Sequence, residues 1–348
     1  MKYIFTIHSP ITFLIAYDII HKEQLPENDV IMISSSNYKP PIQLDYIRKS
    51  FQDVNKSLIK KVQTWNVPKA YDKYINNLTK GESYIAYIDM MHMYQRLLIT
   101  NENCKGFHFI EEGSASYVRS DSLNLLTRVY RTMPYRYNRF RDFAVGIKFI
   151  LRGYSLRTLA LPYWPENYRY FKNMQFYCLS SEAYPGIDDH NKVVVEFDNK
   201  SEILQKMAKN LSFENQFIWI EDSFTNTYRM SSHLYKEAVL STLNYLKSKN
   251  ESLKVYLKLR PSQSLNDSIV YEVLSDKDCQ VEVLNNDLIV EALLANSHNC
   301  TVIGNVSSIL FYATLLDHKS ISMFDRLKNK PKTAFDDFDT YWKNIIKI

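Results

Sequence analysis

Short apolar runs that end in a polar turn and lead into a helical stretch recur along this chain. That alternation limits its fold more than any other feature. Residues 2–7 (KYIFTI) form an apolar run closed by His8-Ser9-Pro10, and residues 11–21 carry helical spacing. Residues 30–34 give a second strand, 83–89 a third, 90–100 a helix and 107–110 a further strand. The stretch 44–77 reads instead as polar helix, with Lys and Gln on its outside. Strand and helix in alternation build a parallel sheet covered by helices.

The pattern breaks at residues 182–190, where Pro185, Gly186, Asp188 and Asp189 crowd a turn, and it then resumes. Strands are expected at 217–220, 253–259, 280–284, 301–303 and 320–324. Helices are expected at 231–247, from about 288 to 296, and from Ser307-Ser308 to about 316. A chain of 348 residues suggests two domains. The boundary is set at an N-terminal domain of 1–205 and a C-terminal domain of 206–348, with the final helix a candidate to return to the first.

Composition narrows the function classes. Only 7 glycines are present, and neither GxGxxG nor GxxxxGK[ST] occurs, so a nucleotide would be held without a glycine-rich loop. The net charge of +5 suits an anionic ligand or an anionic surface and does not by itself indicate nucleic acid. Cys104, Cys178, Cys279 and Cys300 are scattered without metal-binding spacing, so no metal is expected and the thiols read as reduced. The N-terminus lacks a signal-peptide pattern, and residues 143–162 are interrupted by Lys148, Arg152 and Arg157, too charged for a membrane span. A cytoplasmic location is the expectation. Residues 119–172 hold 11 Lys and Arg against three acids, interleaved with aromatics. That face is either simply solvated or a patch for an anionic glycan or the inner membrane surface. No RNA-binding motif accompanies it, and no nucleic acid partner is expected.

Candidate chemistry sits at strand ends, where open α/β sheets place ligands. The strand at 107–110 ends in Glu111-Glu112-Gly113. Paired carboxylates there suit removal of a proton from a hydroxyl, and they equally suit the start of a helix, where the macrodipole favours negative charge. Gly113 lets the backbone turn sharply. His8 closes the first strand and is a weaker acceptor-side candidate. In the second half, Ser307 and Ser308 open a helix after a strand and a Gly-Asn turn. Free N–H groups and hydroxyls there make a phosphate site. Glu291 lies in the first turns of the preceding helix, suited to ribose hydroxyls, and Arg260 follows a strand end, suited to a leaving phosphate. Each residue singly has a structural use as a cap or surface charge.

The order of these motifs resembles the bacterial sialyltransferases of the GT-B architecture, which have two Rossmann-like domains facing each other across a central cleft. That family carries an acidic-acidic-Gly motif in the first domain, and a His-Pro motif, a helix glutamate and a Ser-Ser pair in the second. Glu111-Glu112-Gly113, Arg260-Pro261, Glu291 and Ser307-Ser308 follow that order here. The resemblance implies that Glu111 is the general base and that Glu112 supports the loop or binds the acceptor. It implies that Ser307 and Ser308 bind the phosphate of a CMP-activated sugar and that Glu291 binds its ribose. It further implies a single inverting displacement, with neither metal nor cofactor. Arg260 stands where the family has histidine. Arginine keeps its proton, so it can stabilise the leaving charge but not act as an ordinary general acid.

The expected function is transfer of sialic acid from CMP-sialic acid to a hydroxyl of a capsule or lipo-oligosaccharide glycan, at the inner membrane face. Pseudaminic or legionaminic acid as the donated sugar, a UDP- or GDP-sugar donor, and a non-catalytic glycan-binding or assembly protein are the alternatives.

Overall fold

In a computed structural model of the chain, the described residues are 1–34, 38–40, 42–51, 67–89, 93–117, 174–185, 187–197, 202–222, 225, 230–250, 252–260, 263–277, 279–330 and 339–348. They divide into two units, residues 1–196 and 197–348.

The first unit opens with β1 (Lys2–Ile7) and α1 (Pro10–Lys22). Ser9 caps α1. Its side chain accepts from the Thr12 N–H, and the Thr12 hydroxyl reaches back to the Ser9 N–H, while Pro10 fits the first helical turn. The face carrying Ile11, Leu14, Ile15 and Ile19 is buried. Next come β2 (Val30–Ser34), β3 (Ile47–Lys49), α2 (Val67–Thr79), β4 (Tyr84–Ile88), α3 (Met93–Ile99) and β5 (Cys104–Ile110). The short strands β6 (Phe176–Cys178) and β7 (Lys192–Val194) complete the unit. All seven strands pair in parallel, in the order β3-β2-β1-β4-β5-β6-β7.

Strand β3 lies inside the stretch read from sequence as helix. Among the described residues it pairs only with β2, and its Arg48 and Lys49 are exposed. Charged side chains on an edge strand discourage pairing with another chain, and they also hide the alternation that marks a strand. Strands β6 and β7 are three residues each, too short for periodicity to register.

The second unit begins with α4 (Glu202–Met207). It continues through β8 (Phe217–Ile220), α5 (Ser232–Lys249), β9 (Lys254–Lys258), α6 (Ile269–Asp276), β10 (Gln280–Val283), α7 (Val290–Ala295), β11 (Thr301–Gly304), α8 (Ser308–Leu315), β12 (Lys319–Ser322), α9 (Asp339–Trp342) and β13 (Ile345–Lys347). Its sheet is also wholly parallel, in the order β10-β9-β8-β11-β12-β13. The last strand, β13, joins this sheet by pairing with β12. The core joins Trp219 on β8, Leu243 on α5, Val255 and Leu257 on β9, Val270 and Leu274 on α6, and Ile303 on β11, all fully buried. Truncating one such Leu to Ala costs about 2–5 kcal/mol.

Each sheet therefore runs outward from its first strand in one direction and, from its fourth, in the other, the doubly wound order of a Rossmann-like unit. The switch points lie between β1 and β4 and between β8 and β11. No helix among the described residues is long and apolar enough to cross a membrane. The basic stretch 119–172 lies outside the described residues, as does Pro261.

Candidate functional site

In a doubly wound sheet, the crevice for a ligand opens beyond the carboxyl ends of the strands, at the switch point. In the first unit β1 gives way there to His8 and β4 to Asp89. The two side chains are hydrogen-bonded, Nδ1 of His8 to Oδ2 of Asp89. The Asp89 side chain is fully buried. Its Oδ1 also accepts from the Thr6 hydroxyl at 2.7 Å and from Nε2 of Gln95 at 3.2 Å. A buried carboxylate is tolerable only with such donors. On the other side of the imidazole, Oε1 of Glu112 lies 3.9 Å from His8 Nε2. Burial works against a charged His8, but the bond to Asp89 and the charges of Asp89 and Glu112 outweigh it, and the imidazole titrates above its ordinary value.

The acidic pair separates. Glu111 is wholly buried, and its Oε2 accepts from the Tyr117 hydroxyl at 2.9 Å and from the Leu179 N–H at 2.8 Å. Its own N–H donates to the Tyr177 carbonyl at 2.9 Å, continuing the β5–β6 ladder by one step. Burial, followed by the charge of Glu111, pushes the Cys178 thiol up to about 12. Glu112 is half-buried, and its N–H donates to the Ser116 hydroxyl at 3.2 Å. Successive residues leaving a strand project to opposite sides, so one carboxylate enters the core while the next approaches His8. Gly113 has φ +153°, a backbone conformation that side chains disfavour.

In the second unit the corresponding crevice lies beyond β8 and β11. Asp222, two residues past β8, accepts from the Val306 N–H at 3.1 Å and ties the two strand ends together. A Cβ at Gly304 would lie 3.4 Å from the Ile220 carbonyl and 3.6 Å from Leu310, so the small residue lets α8 sit close to the sheet. Ser307 caps α8: its hydroxyl accepts from the Ile309 N–H at 3.3 Å. Its own backbone is bracketed by Tyr341, whose hydroxyl accepts from the Ser307 N–H and donates to the Ser307 carbonyl, both at 2.9 Å. Ser308 follows as the first helical residue, and its N–H and hydroxyl donate to no partner among the described residues. The Asn305 side chain is fully buried, and neither its amide nitrogen nor its oxygen has a partner among the described residues.

Arg260 follows β9. Its backbone N–H and Nε both turn toward Oε1 of Gln263, at 3.3 and 3.2 Å, and its terminal nitrogens meet no acceptor among the described residues. Glu291 sits in the first turn of α7, where burial raises its carboxyl above the usual range and the positive charge of Lys258 partly offsets the rise. Lys258, at the end of β9, is itself buried, and its ammonium donates to the Asn286 carbonyl at 3.0 Å and the Leu259 carbonyl at 3.3 Å. Desolvation lowers its pKa, opposed by Glu291 and Asp287.

Glu111, Glu112 and Gly113 are thus gathered beyond the strand ends of the first sheet. Arg260, Ser307 and Ser308 follow strand ends of the second, and Glu291 opens a helix of the same unit. A cavity of about 260 Å³ beside Leu294, His298 and His318 opens at the opposite, amino ends of β11 and β12, and no expected site residue lines it. Asp89, Tyr117 and Lys258 were not singled out from sequence. Asp89 closes an apolar run, YIAYID, just as Glu111 closes FHFI, so the same signal was present. Among the described residues no three His, Cys, Asp or Glu side chains are grouped so as to hold a metal ion.

No protein-family model matches this sequence, and no curated protein matches it. Solved structures do resemble it. A sialyltransferase from Photobacterium damsela aligns at a TM-score of 0.51 and 12% identity, covering 100% of this chain and 81% of its own. A 2,6-sialyltransferase from a Photobacterium species, solved with CMP and lactose, aligns at 0.52 and 12%, covering 99% of this chain and 78% of its own. A UDP-GlcNAc 2-epimerase from Methanocaldococcus jannaschii aligns equally well, at 0.52 and 11%, covering 100% of this chain and 89% of its own. At these identities the likeness is one of fold: the chain has the GT-B architecture, two Rossmann-like units.

Proposed function

We propose that the chain is an inverting glycosyltransferase that carries a nonulosonic acid, sialic acid in the first place, from its CMP donor to a hydroxyl of a bacterial surface glycan. One observation supports this most directly. The second unit offers a helix start at Ser308 and two guanidinium nitrogens on Arg260, none of them engaged among the described residues, and a carboxylate at Glu291. That set matches the parts of a nucleoside monophosphate. Ser308, with Ser307 shaping the turn, holds the phosphate, Arg260 neutralises its charge as the sugar departs, and Glu291 accepts from the ribose hydroxyls. Lys258 keeps Glu291 closer to its ionised form.

The first unit supplies the acceptor side. Glu112, half-buried beside His8, binds the acceptor sugar. Glu111 takes the role of loop anchor rather than base, since its carboxylate is out of contact with solvent and already accepts two hydrogen bonds. The reaction needs no metal or cofactor in this scheme, because Arg260 balances the leaving phosphate. Residues 119–172 provide contact with the inner membrane, where such glycans are assembled, and pseudaminic or legionaminic acid would meet the same nucleotide site.

Thermal denaturation with CMP, UDP and GDP tests the reading. A ligand that binds only the folded state raises its apparent stability. CMP is expected to raise Tm more than UDP or GDP, and Ser308→Ala and Arg260→Ala to shrink that rise. A shift with UDP alone would favour a UDP-sugar enzyme on the same fold, and no shift with any nucleotide would favour a glycan-binding protein.

A further inference from the structure

We propose that His8 is the catalytic base of this transfer, that Asp89 holds it in position, and that the acceptor hydroxyl delivers its proton to His8 Nε2. The inference rests on the transferase reading above and adds the residue that carries its proton.

Four features of the first unit support the assignment. His8 and Asp89 stand at the ends of β1 and β4, the two strands that flank the switch point. Nδ1 is committed to Asp89, which fixes the tautomer: in the neutral ring Nδ1 carries the hydrogen and Nε2 presents a lone pair. Asp89 is immobilised, buried, and held by Thr6 and Gln95 as well as by His8, so the imidazole plane is set before substrate arrives. The backbone of His8 is fixed in turn, its N–H donating to the Thr12 hydroxyl at 3.1 Å within the cap of α1.

Among the described residues, the charged groups facing the ring are Asp89, from the end of β4, and Glu112, from the loop after β5. The cap of α1 contributes only the uncharged Ser9 and Thr12. Two carboxylates around one imidazole favour the protonated ring, which is the state a base must reach as it works. Asp89, behind the ring, stabilises the imidazolium, as a buried carboxylate behind a histidine does elsewhere. Glu111 is excluded from this task by the same geometry that suits it to hold the loop.

The step balances without a co-reactant. The acceptor oxygen forms a bond to the anomeric carbon of the donor sugar as its O–H bond breaks, and that proton goes to His8 Nε2. The bond from the anomeric carbon to the phosphate oxygen breaks, and its electron pair leaves on the phosphate of CMP. The proton on His8 then passes to solvent.

The test is CMP release from CMP-sialic acid, with lactose as the probe acceptor, by the wild type, His8→Ala, His8→Gln and Asp89→Asn. His8→Ala and His8→Gln should lose about 10²–10⁴-fold in kcat, the usual share of a general base. Both should keep the thermal shift with CMP, and added imidazole should restore part of the rate of His8→Ala but not of His8→Gln, whose side chain fills the gap. Asp89→Asn should move the acidic limb of the kcat/KM pH profile to lower pH, a change that a merely structural role would not produce. Wild-type turnover with His8→Ala running at a near-normal rate, or an Asp89→Asn profile with an unmoved acidic limb, would overturn the inference and leave the transferase reading standing. No CMP release by the wild type from any CMP-nonulosonic acid would overturn the transferase reading, and this inference with it.

Discussion

The Tyr117 hydroxyl donates to Glu111 Oε2 at 2.9 Å inside the first unit, with Tyr117 and Glu111 both buried. The Leu179 N–H donates to the same oxygen at 2.8 Å. Tyr117→Phe removes one donor from a buried carboxylate and should cost about 1–3 kcal/mol. Urea denaturation checks this, and an unchanged midpoint would contradict it. Glu111→Gln keeps an oxygen for the same donors, so it should unsettle the loop while reducing transfer far less than His8→Ala does.

Gly113 turns the chain directly after the acidic pair with φ +153°. An L-residue placed there is strained by about 1–3 kcal/mol. Gly113→Ala should lower Tm and displace Glu112, giving a raised KM for the acceptor with the CMP thermal shift retained. An unaltered Tm and KM would show that the turn tolerates a side chain.

The pH dependence of stability carries the mark of His8. Its folded pKa is raised, so the folded protein holds the proton more tightly than the unfolded chain. The resulting stabilisation is complete below the unfolded value, about 6.5, and is lost as pH rises through the folded value. His108 and His318 are shifted the other way, chiefly by burial, so their contributions grow as pH rises toward the unfolded value. The difference between wild type and His8→Gln isolates His8: it should favour the wild type most at the acidic end and shrink with rising pH. A difference that is flat with pH would contradict the coupling of His8 to Asp89 and Glu112.

Lys258 is a buried cation whose charge acts on Glu291. Lys258→Met preserves the length of the side chain and removes the charge, leaving Glu291 harder to ionise. Affinity for CMP should fall by up to about tenfold, roughly 1.4 kcal/mol. Calorimetric titration measures it, and full affinity in this variant would separate Lys258 from the nucleotide site.

Much of this arrangement was legible in the sequence, for physical reasons that also explain the gaps. Parallel strands buried on both faces read as continuous apolar runs, so β1, β2, β4, β8 and β11 were visible. The edge strand β3 and the three-residue strands β6, β7 and β13 were not, since charge or brevity erased the pattern. The acidic pair announced itself by closing an apolar run. Which of the two carboxylates points into the core depends on Tyr117 and Leu179, and the Leu179 contact is 68 residues distant along the chain. His8 and Asp89 are 81 residues apart, and only strand order brings them together. The helix start at Ser307-Ser308 was legible because capping is local, whereas the contacts of Tyr341 with Ser307 come from a segment 34 residues away.

The most direct test of the central claim is the release of CMP from CMP-sialic acid by the intact protein in the presence of a sugar acceptor, followed with the wild type and with Arg260→Ala. Steady CMP production with a sialylated product, sharply reduced in Arg260→Ala, is the predicted result. Intact donor after prolonged incubation, or turnover confined to UDP- or GDP-sugars, would contradict it.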